Sequence, residues 1–559
     1  MNKLRWLVLL AVVVGEALGS VPGWAQAGAP RRYLVYFKDK ANSPYSVGAP
    51  ERFLSARALS RRRRQGIAVQ ARDLPVTPAY VTQLRALGGR PQVLYTSRWL
   101  NGAVISCDSA TYAQALQLPT VRAGRALSYQ LPAAPSAAGA VLPAPAAGDH
   151  TTGRAYYGKA YAQDSLLGIP AAHRAGFRGE GMQIAVFDAG FPGADRLAGL
   201  QRLQTQGRVA STRNFVDGGR SVYVRNSHGT STLSLIGGEL PGSFVGTAPR
   251  ATFHLCLTED AGSENPIEEA NWLAAAEYAD SVGVDVISSS LGYTTFDRPE
   301  FSHAYADLNG RTAIGSLAAL GAARAGMVVV NSAGNDGGNG WRYIGVPADA
   351  DSIITVGAVD SLRQHAYFSS YGPTADGRLK PTLSAMGVAS AVLVPNGAVV
   401  RGNGTSYACP ELAGLVAVFW QANPGLTAQQ VIAALTRAGS QASAPDNTLG
   451  YGIPDFTRAY NLTRPGVPLG TAPVLSIFPN PVREGELMLA LPTKLQGQAL
   501  RVRVLDARGA LVAEQHIAAA VALPTVPLQV RGGSLAPGTY QCVVRPANGA
   551  SQTVRFVQQ

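Results

Sequence analysis

The sequence predicts an α/β protein built on a doubly wound parallel sheet, with a small α+β domain in front of it and a β-sandwich behind. Three observations carry that expectation. Short apolar strands alternate with helical stretches between residues 151 and 460, a compact strand and helix unit precedes an Ala/Pro tract, and short alternating runs follow Pro465. Hydrophobic residues make up 46% of the 559 and charged residues 15%, with 62 Gly and 36 Pro, which excludes wholesale disorder and a coiled coil.

Residues 1–27 read as a secretory signal. Lys3 and Arg5 precede the apolar run Trp6 to Val14, and Ala25-Gln26-Ala27 offers a small-x-small cleavage site, so the expected location is secreted or cell-surface. No transmembrane helix is expected, because the later run Ala313 to Val330 is broken by Arg324.

Residues 28–130 form the small α+β unit. Tyr33 to Phe37 is a buried-strand run. Thr77-Pro78 opens a helix with the apolar face Tyr80, Val81, Leu84 and Leu87, and Gly88 stops it. Strands at Val93–Tyr95 and Ala103–Ser106, a short helix at Tyr112–Leu116 and a strand near Val121 complete it. The run Arg61 to Arg64 reads as a solvated helix end in preference to a processing site. Residues 131–150 hold eight Ala and four Pro and read as a linker.

The charge is unevenly spread. Residues 28–130 carry 16 basic and 4 acidic side chains, whereas 131–460 carry 21 and 26. Such asymmetry suits an intramolecular partner, and no nucleic-acid partner is expected because interleaved stacking aromatics are missing. Four cysteines, Cys107, Cys256, Cys409 and Cys542, are too sparse for a disulfide framework, and Cys256 and Cys409 are expected to stay unpaired.

Within residues 151–460 the strands are Gln183–Phe187, Thr252–Leu257, Val284–Ser288, Met327–Val330 and Ile353–Val356, with helical periodicity over 266–282 and 312–325. Chemistry in such a sheet sits past the carboxyl ends of its strands. Asp188 directly follows the first strand, and Gly190 permits a tight turn. His228 lies in Asn226-Ser227-His228-Gly229-Thr230, and Ser406 opens a helical run through Leu412 to Trp420. Each alone reads equally well as a turn, surface or capping residue. Together they supply a hydroxyl nucleophile, an imidazole to take its proton and a carboxylate to hold that imidazole.

The order Asp, His, Ser resembles that of the subtilisin-like serine proteases, and the resemblance covers about residues 155–460. It rests on Asp188-Ala189-Gly190, His228-Gly229-Thr230, Ser332-Ala333-Gly334-Asn335-Asp336-Gly337 and Gly404-Thr405-Ser406-Tyr407-Ala408-Cys409-Pro410. It implies Asp188, His228 and Ser406 as the triad, Asn335 as oxyanion donor, and Ser290-Leu291-Gly292 as the segment that pairs with substrate backbone. No run of acidic residues matches the ligand spacing of a calcium loop, so no metal ligands and no cofactor are expected, calcium entering by family analogy alone. Departures from the family pattern are Ala189 for Ser or Thr, Ser231 and Glu411 for histidines, and Tyr407 for a methionine.

Residues 28–130 also resemble the propeptide of these enzymes. Phe478-Pro479-Asn480-Pro481, Val504-Leu505-Asp506-Ala507-Arg508-Gly509 and Leu535-Ala536-Pro537-Gly538-Thr539-Tyr540 resemble the sorting domain of type IX secretion in Bacteroidota. The expected organisation is a signal peptide (1–27), a propeptide-like domain (28–130), a linker (131–150), a peptidase domain (151–460) and a sorting sandwich (461–559). The expected function is a secreted serine endopeptidase made as a zymogen. Its expected partners are protein or peptide substrates, its own propeptide and the type IX secretion machinery. The rival reading is a catalytically silent surface or adhesion protein on the same fold, against which the intact Asp188, His228, Ser406 and Asn335 argue. A hydrolase of the esterase type would need a Gly-x-Ser-x-Gly elbow, which is absent.

Overall fold

Alternation of side chains along the strands decides how the layers stack. In the computed structural model, which describes residues 31–128, 153–464 and 475–558 except 479–486, 493–494, 496, 520–524, 529–534 and 548, the N-terminal unit is a four-stranded antiparallel sheet. Its elements are β1 (Arg31–Phe37), α1 (Ala56–Arg64), α2 (Pro78–Arg85), β2 (Gln92–Ser97), β3 (Gly102–Cys107), α3 (Ser109–Leu116) and β4 (Val121–Ser128). Strand order is β2-β3-β1-β4. Tyr33, Val35 and Phe37 face the unit's own core with Leu84 of α2 and Ala115 of α3, and Leu34 faces the opposite way. The expected signal segment, the linker and Pro479-Asn480-Pro481 lie outside the described residues.

The central body is a seven-stranded sheet made of β5 (Gln183–Asp188), β6 (Val209–Asn214), β7 (Thr252–Leu257), β8 (Val286–Ser289), β9 (Val328–Ser332), β10 (Ile354–Val359) and β11 (Leu383–Met386). Spatial order is β11-β10-β9-β8-β5-β7-β6, and all six pairings are parallel. Ile184 and Val186 point to a core shared with α4 (His228–Gly237) and α7 (Thr405–Ala422). Ala185 and Phe187 point to a second core under α5 (Ile267–Val282) and α6 (Ile314–Arg324). Two buried faces on one strand are the reason these strands read as continuous apolar runs.

Two of the boundaries that differ from expectation bear on the site. Asp188 ends β5 instead of following it, because its backbone still pairs with Leu257 of β7. The helix carrying Ser406 begins one residue before it, at Thr405, and ends at Ala422, two residues past the apolar run Leu412 to Trp420.

The N-terminal sheet lies on α5. Leu34, Val104 and Leu127 share a core with Ala270, Leu273 and Ala276. Polar contacts frame that apolar patch. Arg61, Arg62 and Arg98 all bind Asp280, which is 0% exposed, and Arg57 binds Asp285. Glu277 accepts from Ser97 Oγ at 2.5 Å and from the Arg98 and Trp99 amides at 2.8 and 3.1 Å. The expectation of a solvated helix end at Arg61–Arg64 is therefore corrected at Arg61 and Arg62. Both are buried, because their partner is a carboxylate more than 200 positions away in sequence.

The C-terminal strands form a three-stranded and a four-stranded antiparallel sheet around one apolar core containing Leu489, Val502, Val504, Cys542, Val544 and Phe556. The Val504–Gly509 motif is a strand end and turn, in which Asp506 Oδ1 accepts from the Arg508 and Ala510 amides at 2.8 and 2.9 Å. No helix among the described residues is long and apolar enough to cross a membrane, and all four cysteines are free and buried.

Candidate active site

Asp188 is placed at the carboxyl end of β5, in the middle of the sheet, where it is 0% exposed. The chain turns away at Gly190, whose φ is +135°, and a Cβ there would lie 2.1 Å from the Val224 carbonyl. Only glycine fits that crossing. The carboxylate is fully engaged. Oδ1 accepts from His228 Nδ1 at 2.8 Å and from the Ala189 amide at 2.8 Å, and Oδ2 accepts from Thr232 Oγ1 at 2.9 Å.

Thr232 is the residue that sequence reasoning missed. The family hydroxyl lost at Ala189 has a counterpart on α4, one helical turn beyond His228. The signal was present as the i, i+4 spacing of His228 and Thr232, which puts both side chains on one helix face.

His228 opens α4 and its side chain is 30% exposed, so one ring nitrogen is held by Asp188 while the ring stays partly open to solvent. Burial disfavours the imidazolium, but the Asp188 charge and hydrogen bond outweigh it and hold the pKa above the usual 6.5. Tyr407 stacks beside the ring with centroids 6.2 Å apart.

Ser406 is the second residue of α7, at the positive end of the helix dipole. Its Oγ lies 3.4 Å from the Ser290 carbonyl, and no hydrogen bond to His228 is formed in this state. Such bonds commonly close only when substrate is bound. Pro410, four residues on, has no amide to give the Ser406 carbonyl. Ser290 Oγ donates to that carbonyl instead, at 2.8 Å, and ties the Ser406 backbone to the segment expected to hold substrate.

Asn335 follows β9. Its Oδ1 accepts from both the amide and the hydroxyl of Thr405, at 2.9 and 3.0 Å. Two donors on one atom fix Oδ1 as the acceptor and leave Nδ2 to donate. Nδ2 lies 3.9 Å from the point where a Cβ on Gly404 would stand, next to Ser406, and meets no acceptor among the described residues. An amide that cannot titrate is thus held beside Ser406.

Ser290, Leu291 and Gly292 leave the end of β8 and line the same cleft as Ser332, Asn335, Gly345 and Ser406, a pocket of about 340 Å³. The Leu291 carbonyl is held by Asn331 Nδ2 at 3.0 Å. Gly292 makes no backbone hydrogen bond among the described residues, and a Cβ on it would meet nothing closer than 3.9 Å. An open, extended backbone of this kind can accept a strand of substrate. Ser290, Leu291, Gly292, Asn335 and Ser406 thus line one cleft, while Asp188 and His228 are joined to each other and approach it through Tyr407, the neighbour of Ser406. No group of three or more His, Cys, Asp or Glu among the described residues is arranged to hold a metal ion.

Residues 179–452 match the subtilase family, and residues 32–138 match the peptidase S8 propeptide domain of Bacteroidota. Subtilisin NAT of Bacillus subtilis subsp. natto and subtilisin E of Bacillus subtilis strain 168 are each 30% identical over 306 residues, covering 52% of this chain and 70% of theirs. A solved structure described as MycP1 with the N-terminal propeptide removed is 25% identical, with a TM-score of 0.42, over 56% of this chain and 98% of that one.

Proposed function

Because the chain belongs to the subtilase family and is a serine-type endopeptidase, we propose that Asp188, His228 and Ser406 are its catalytic triad and that it is secreted as a zymogen. His228 takes the Ser406 proton as Oγ attacks the peptide carbonyl, then returns it to the leaving amine. Asp188, braced by Thr232 and the Ala189 amide, fixes the imidazole tautomer and stabilises its charged form. Asn335 Nδ2 and the Ser406 amide receive the developing oxyanion.

The observation that carries this reading is the chain of contacts from Thr232 through Asp188 to His228, whose ring lies beside that of Tyr407, the residue after Ser406 in the cleft that Asn335 also lines. The test is casein hydrolysis before and after a serine-directed inhibitor, alongside Ser406→Ala. Loss of hydrolysis in both, with normal folding, is expected. Turnover by folded Ser406→Ala would refute the triad.

Residues 28–130 act as inhibitor and folding aid, released by cleavage between Gln130 and Thr151. The propeptide match and the buried contacts with α5 support that role. The C-terminal sheets carry a type IX sorting address, supported by the turn at Asp506–Gly509 and by Tyr540, whose hydroxyl donates to the Ala536 carbonyl at 2.8 Å. Deleting residues 473–559 should retain the protein in the periplasm of a host with type IX secretion. Efficient export of the truncated chain would refute the address.

A further inference from the structure

A second cavity lies away from the active-site pocket, at the seam between the N-terminal domain and the peptidase body. It has a volume of about 880 Å³ and is walled by β1 to β3 on one side and by the end of β6 with the loop to residue 225 on the other. Four arginines line it, Arg32 from the N-terminal domain and Arg213, Arg220 and Arg225 from the peptidase body, against one carboxylate, Asp217.

Their commitments differ. Arg225 is held by Asp217 at 2.6 Å and Asp260 at 2.9 Å. Arg213 lies 5.0 Å over the Tyr278 ring, which leaves its N–H edges available. Arg220 is exposed. Arg32 is the anomaly. It is 6% exposed, its Nε is buried with no partner, and no described residue accepts from its guanidinium. A buried cation without an acceptor is costly, and a guanidinium fork matches carboxylate and phosphate oxygens.

We propose that this seam is a binding site for a small polyanion, a compound bearing two or more phosphate or carboxylate groups, and that the anion clamps the two domains together. Arg32 and Arg213 present the free donors, one from each wall, and Arg220 supplies further positive charge at the rim. The cavity is larger than a single oxyanion requires. Because both domains contribute donors, the anion binds only the docked state and strengthens docking by the factor 1 + [L]/Kd. At about ten times its Kd, the propeptide therefore holds about tenfold more tightly.

The test uses the full chain silenced by Ser406→Ala, so its outcome does not depend on the triad assignment. Pyrophosphate, citrate and inorganic phosphate are titrated calorimetrically, with sodium chloride at equal ionic strength as reference. Saturable binding of pyrophosphate or citrate at one site is expected, weaker for phosphate. Pyrophosphate above citrate identifies a phosphate ligand, and the reverse a carboxylate ligand. The added substitution Arg32→Gln should abolish binding with little change in the unfolding midpoint. Arg213→Gln, on the opposite wall, should weaken it at least fivefold and serves if Arg32→Gln does not fold. Heats no different from sodium chloride, or binding unchanged in the folded variants, would overturn the proposal.

Discussion

Replacing Asp280 by Asn should loosen the N-terminal domain by about a hundredfold without touching catalysis. One carboxylate, 0% exposed, receives three guanidinium groups, from Arg61, Arg62 and Arg98. Burial alone would raise its pKa, yet the three arginines hold it below the usual 3.8. Removing one partner of a buried ion pair costs about 3–5 kcal/mol, which at about 1.36 kcal/mol per decade is a factor of about 10² to 10⁴. The lower end applies, because Asn still accepts one hydrogen bond and Arg62 keeps Asp73 at 3.1 Å. The assay is inhibition of the processed enzyme by separately expressed residues 28–130, comparing wild type with Asp280→Asn. Asp280 contacts no cleft residue, so peptide turnover without inhibitor should be equal. Rising salt should slow association in both proteins and leave dissociation nearly constant, since exposed charges steer the encounter and the contacts at Asp280 are shielded from solvent. An inhibition constant within about threefold of wild type would refute the idea that this buried cluster holds the domain.

Asn335→Leu should lower kcat by about 10² to 10³ with KM little changed, a magnitude carried over from the equivalent donor in subtilisin and not worked from this cleft; a raised KM with normal kcat would make Asn335 a substrate-binding residue. Thr232→Val keeps shape but removes the donor to Asp188 Oδ2, so denaturant unfolding in a Ser406→Ala background should show a loss of about 1.5–3 kcal/mol, largely restored by Thr232→Ser. Catalysis needs neutral His228, and its raised pKa means that kcat/KM should rise with pH through a value above 6.5. An acid limb below 6.5 would contradict the Asp188 contact.

The sequence by itself determined the architecture and pointed to most of the candidate site. Strand runs buried on both faces can only be covered by helices on both sides, so the sheet was legible from apolar runs such as Ile184 to Phe187. Asp188, His228 and Ser406 were legible as candidates because chemistry in such a sheet collects past its strand ends and a hydroxyl, an imidazole and a carboxylate complete one another, whereas Asn335 entered through the family resemblance. Only the tertiary structure decided which partners complete those groups. Thr232 braces Asp188 from another element, and Ser290 takes the carbonyl that Pro410 leaves unpaired. Arg61 and Arg62 read as solvent-facing because nothing in their own helix pairs with them; Asp280, across the seam, buries them. The cavity around Arg32 has no linear signature either, since its walls come from segments more than 100 residues apart that meet only when the two domains dock. Local periodicity reports which face of an element is apolar, whereas the pairing of a buried polar group depends on what the chain brings against that face.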